Sequence, residues 1–143
     1  MDIKQHIENW VECLSVKHIV LGGFSVCPFA KNAEYEIIET DGSNIDPPPW
    51  AFDLIIYVLP DMWSQEELFE LADVYNKMYP DLIFLPDYKD RHTEIKGVQT
   101  NNGKYNLLLC QWRDELNLAR EKLAKTDYYS YWDENYLKEI LNT

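Results

Sequence analysis

Apolar and polar positions along this chain repeat with two different periods, and the switches between them mark out its elements. In residues 2–14, Ile3, Ile7, Trp10, Val11 and Leu14 recur at the helical spacing that gathers one apolar stripe. That helix is expected to lie across a sheet. Residues 18–21, His-Ile-Val-Leu, form a short β-branched run that reads as a buried strand, ended by Gly22-Gly23, and a second strand is predicted over 35–40. Residues 53–61, Asp-Leu-Ile-Ile-Tyr-Val-Leu-Pro-Asp, carry the continuous apolar run of a strand covered on both faces.

Ser64 with Glu67 forms a capping box, and Trp63 is placed to staple against Leu68. Leu68, Leu71, Ala72, Tyr75 and Met78 mark the buried stripe of the helix that follows, which Pro80 ends. Residues 81–87 then repeat the Asp-Leu-Ile opening and Leu-Pro-Asp close of the strand before it. Strand, helix and strand of this length make a right-handed parallel crossover, so both strands should end at one sheet edge. Asn101-Asn102-Gly103, between runs at 92–100 and 104–110, is a hairpin signal because asparagine and glycine tolerate positive φ. A helix is predicted over 111–124, with Trp112, Leu116, Ala119 and Leu123 on one face. The last helix, 132–141, is expected to start from Ser130 with Asp133 as the acid that reaches back. The order predicts a single α+β domain over residues 1–143, with helices packed on a mixed, mostly antiparallel sheet. A ferredoxin-like arrangement fits, with a thioredoxin-like one as the alternative.

Composition narrows the function. Lys and Arg number 13 against 25 Asp and Glu, a formal net charge of −12. Such a surface repels phosphate backbones and anionic membranes, which sets nucleic acid and membrane aside as partners. Cys13, Cys27 and Cys110 are odd in number, and no histidine lies within four residues of any of them. That argues against zinc or a disulfide framework and for a reducing compartment. The amino terminus is polar and no apolar run approaches a membrane span, so a soluble, cytoplasmic protein is expected. No cofactor is implied. A chain of 143 residues buries roughly two thirds of its unfolded surface and holds a core without metal.

Chemistry is suggested in one stretch, residues 17–31, where Gly23, Cys27, Pro28, Phe29 and Lys31 fall together. Pro28 suits the first position of a helix and places Cys27 at its cap, where unpaired amides would favour a thiolate. A small, inert, buried cysteine is the commoner outcome for such a residue. Cys27-Pro28-Phe29-Ala30 resembles the Cys-Pro-Tyr-Cys site of glutaredoxins, with Ala30 in place of the second cysteine, as in a monothiol variant. In that family a helix of several turns follows the cysteine, whereas only residues 31–34 separate this motif from the next strand. Residues 20–33 more closely resemble uncharacterised small bacterial proteins with Gly-x-x-x-Cys-Pro-Phe-Ala-Lys after a strand, matched by Gly23 and by Cys27 to Lys31. That resemblance implies no activity.

Three further places carry candidate roles. Trp50 ends a loop with three consecutive prolines and either anchors it or forms a recognition strip, and Tyr129 and Trp132 lie in the aromatic stretch 128–132. Together these would make a patch for a protein partner or a homodimer. Lys89, Arg91, His92, Lys96 and Lys104 gather cations that could hold a small anion, although a solvated loop is the usual state of such a cluster. Asp61 and Asp87, closing the two repeated strands, could share a divalent cation, with Asp90 and His92 in reach. With no nucleophile–base pair, ligand spacing or phosphate loop, the sequence favours a non-catalytic binding module over a Cys27-dependent enzyme or redox protein. It names no small-molecule ligand.

Overall fold

The computed structural model describes residues 2–43, 45, 53–132 and 134–141. Trp50, the three prolines before it and Asp133 lie outside the described residues, and Lys31 is described in its backbone only. The elements are α1 (Ile3–Leu14), β1 (Tyr35–Glu39), β2 (Leu54–Leu59), α2 (Gln65–Met78), β3 (Leu82–Asp87), β4 (Glu94–Ile95), β5 (Val98–Gln99), β6 (Asn106–Trp112), α3 (Arg113–Ala124) and α4 (Glu134–Leu141). This is the α+β class that the hydrophobic pattern predicts. Among the described residues no helix is long and apolar enough to cross a membrane.

The chain divides into two compact units, one of residues 1–32, 92–101 and 116–143, the other of residues 33–91 and 102–115. The second holds the sheet, in the order β1-β2-β6-β3. β1 runs parallel to β2, while β6 is antiparallel to both β2 and β3. β2 and β3 are therefore parallel to each other, as the repeated Asp-Leu-Ile predicts, but β6 has entered between them. Ile55 to Leu59 are all buried, which fits a strand paired on both sides. Leu68, Ala72 and Tyr75 of α2 join Ile55, Tyr57, Leu59, Phe84, Leu108 and Cys110 in one core.

The capping box forms as predicted: the Ser64 hydroxyl accepts from the Glu67 amide and the Glu67 carboxylate from the Ser64 amide. Met78 departs from the predicted stripe and is 57% exposed, because it is the last residue of α2 and sits at the edge of that stripe. β3 continues through Pro86. The missing amide is tolerated because β3 is an edge strand. Its open side is partly closed by Asn76, whose side chain donates to the Phe84 carbonyl and accepts from the Phe84 amide.

In the other unit Asp2 caps α1 by accepting from the Gln5 amide. The Trp10 indole donates to the Thr100 carbonyl, the Thr100 hydroxyl bonds to that of Tyr136, and Arg120 on α3 donates to the Ile140 carbonyl on α4. The predicted hairpin moves: β4 and β5 turn at Lys96-Gly97, both with positive φ. Asn101-Asn102-Gly103 does not join paired strands, and the run after it becomes β6. The strand predicted at 18–21 is also absent. Ile19–Leu21 is a 3-10 turn instead, and the last helix starts at Glu134 rather than at Trp132, with Ser130 inside a turn of its own.

Candidate functional site

Residues 17–32 of the first unit fold into a displayed loop, for reasons that are local. The His18 amide donates to the Phe24 carbonyl, and the His18 carbonyl accepts from the amides of both Leu21 and Gly23. An antiparallel bridge between Lys17 and Ser25 closes the base. So short a loop requires positive φ at its return, supplied by Gly22 and Gly23. Gly22 is needed twice over, since a Cβ there would run into the ring of Tyr131. The turn drives Leu21 inward to full burial and leaves Ile19 96% exposed, and Val16, Val20 and Phe29 of the same segment are exposed as well.

Cys27 follows at the inner end. Its amide donates to the Leu14 carbonyl and its carbonyl accepts from Ala30, opening a 3-10 turn at Ala30–Asn32 rather than the helix expected after Pro28. Burial pushes the Cys27 thiol up, against the opposing pull of the Phe29 and Ala30 amides on the sulfur. The amides that would favour a thiolate are there, and desolvation outweighs them. Burial likewise drives the Tyr128 and Tyr129 phenols upward, while Arg120 opposes it at Tyr129. The Tyr128 hydroxyl donates to the Val26 carbonyl. Its ring sits edge-on to Phe24 and packs against Tyr129 and Trp132. Tyr129 and Trp132, predicted as partner contacts, are half-buried in this cluster, so most of the 128–132 stretch packs within its own unit.

Asp87 pairs with Leu107, which on its other side faces Val58, so β2 and β3 stand two strand spacings apart, about 10 Å. Asp61 lies three residues beyond Val58 and is exposed, whereas the Asp87 carboxylate accepts from the amide and side chain of Asn102. Burial raises the Asp87 carboxyl above its usual value, with Asn102 and Arg91 opposing. The shared cation site is thus corrected, and among the described residues no cluster of three His, Cys, Asp or Glu is placed to hold a metal. Of the predicted cluster, Arg91 lies over the Phe69 ring at 5.8 Å, Lys104 over the Tyr105 ring at 5.4 Å, and His92 meets the Glu94 carboxylate at 3.1 Å.

Sequence reasoning missed the exposure of Ile19 and Val20 and the work of the asparagines. Asn102 accepts from the Lys104 and Tyr105 amides, and Asn106, fully buried, donates to the Pro60 and Trp63 carbonyls. One signal for the displayed loop was present: no Asp or Glu occurs between Glu12 and Glu34, while Lys17, His18 and Lys31 do, in a chain of net charge −12. Comparison of the chain with family models, with curated proteins and with solved structures finds no match.

Proposed function

We propose that this chain is a non-catalytic protein-binding module of a reducing, cytosolic compartment, and that the displayed loop of residues 16–29 is its contact surface. One observation carries the reading: Ile19 is almost fully exposed on a turn whose backbone is fixed by its own hydrogen bonds. Ordering such a turn costs entropy once, in folding, so a partner that covers it pays little more. Apolar side chains held out on a rigid turn, with cations beside them, suit recognition better than they suit chemistry. The three free cysteines fit a reducing environment, and the acidic balance disfavours nucleic acid.

A benzophenone side chain placed at position 19 tests this in extracts of cells that express the protein. Irradiation is expected to give discrete protein adducts at position 19 and none at Lys122, an exposed control in the same unit. No adduct at 19 above that control overturns the reading. A second reading, thiol chemistry at Cys27, is favoured by the two amides directed at its sulfur and opposed by its burial.

A further inference from the structure

The displayed loop has a counterpart on the same chain. The solvent face of α2 presents Glu66, Glu70 and Asp73, with exposed Val74 and Met78 along one flank and exposed Met62 just before the helix. The one lysine of α2, Lys77, bridges Asp73 at 3.0 Å, with both side chains largely in water, which leaves Glu66 and Glu70 as the net charge of the face. The loop offers the inverse, apolar Val16, Ile19, Val20 and Phe29 with Lys17 and His18 and no acid in the segment. Resting on the binding reading above, we infer that the occupant of the loop is the α2 face of a second copy of this chain.

The match is one of charge as well as of apolarity. In a chain of net charge −12 most surface pairings between copies are repulsive, and the loop, with Lys17 and no acid, is a segment that lessens this. Loop-to-loop pairing would bring Lys17 of two copies together, whereas loop-to-α2 pairing sets it against carboxylates. Each copy holds both halves, so the contact is either reciprocated in a closed pair or repeated from copy to copy into rings or chains. The carboxylates steer the encounter, and the apolar residues supply the contact that persists in salt.

Sedimentation velocity of the purified chain, with two variants, tests the geometry. Ile19→Asp removes the loop and Met78→Asp removes the α2 face. Both residues are exposed, and unchanged thermal unfolding checks that each variant folds. The wild type is expected to associate increasingly with concentration across the micromolar range and to weaken several-fold from low to high salt. Each variant alone should associate roughly tenfold or more weakly. Mixed, the two should form a heterodimer that stops at two, because one intact loop and one intact face remain. A wild type that stays monomeric, a Met78→Asp variant that associates as wild type, or a mixture with no heterodimer overturns the inference. Adducts at position 19 with other proteins alone, beside a monomeric purified chain, would overturn self-docking and leave the binding reading standing.

Discussion

Two apolar runs in this chain look alike and end up in opposite states. Leu54–Leu59 is a strand whose last five residues are buried, while residues 18–21 form a tight turn with Ile19 in water and only Leu21 fully inside. Both are rich in β-branched residues, so intrinsic preference does not separate them. Partners do: β2 has β1 on one side and β6 on the other, whereas Gly22 and Gly23 turn the shorter run back on itself before any strand can pair with it. Apolar character makes burial favourable, but a strand is buried only where neighbours are in place to take up its backbone groups.

The comparison is broken most sharply by truncating one isoleucine in each run. Ile56→Ala is expected to cost about 2–5 kcal/mol in urea unfolding, the price of a cavity at a fully buried site, and Ile19→Ala to stay within about 0.5 kcal/mol. Equal losses would mean that the 18–21 run is packed after all. The turn itself is tested at its glycines. Gly22→Ala should destabilise by roughly 2–3 kcal/mol, from positive φ and the Tyr131 ring together, and Gly23→Ala, with open space around it, by about 1 kcal/mol from φ alone.

Smaller effects sharpen the contrast between locally and globally determined parts. Ser64→Ala removes one half of the α2 capping box and should cost about 1 kcal/mol by the same measurement, whatever happens in the displayed loop. Alkylation of the native protein should label exposed Cys13 first, then Cys27, with buried Cys110, pushed up to about 12, last. Only the thiolate reacts, and burial lifts the Cys27 thiol above its ordinary value. Its rate should therefore keep climbing with pH past the roughly 8.5 of a free thiol. A Cys27 rate that levels off below neutral pH would restore the thiolate and favour the enzymatic reading.

Much of the second unit was legible because its signals are local. The run at 54–59, the capping box at Ser64 and the stripe of Leu68, Ala72 and Tyr75 each depend on residues within a few positions of one another. The matching strands at 81–87 showed their shared direction in the same way. The hairpin misled because its signal was also local, yet tertiary demands used the residues differently. Asn102 serves the Asp87 carboxylate and the Tyr105 backbone, and the positive-φ turn fell to Lys96-Gly97, where lysine gives no hint of it.

By itself, then, the sequence determined the α+β class, the placement of β1, β2, α2 and β3, and an acid-free segment between Glu12 and Glu34, because periodicity, caps and charge are carried by neighbouring residues. The tertiary structure alone decided that β6 enters between β2 and β3, that Asp61 and Asp87 stand apart, and that burial pushes the Cys27 thiol up. It decided too that Ile19 faces water. Each of these depends on which distant segments surround a group, and desolvation and strand pairing are set by surroundings rather than by position in the chain.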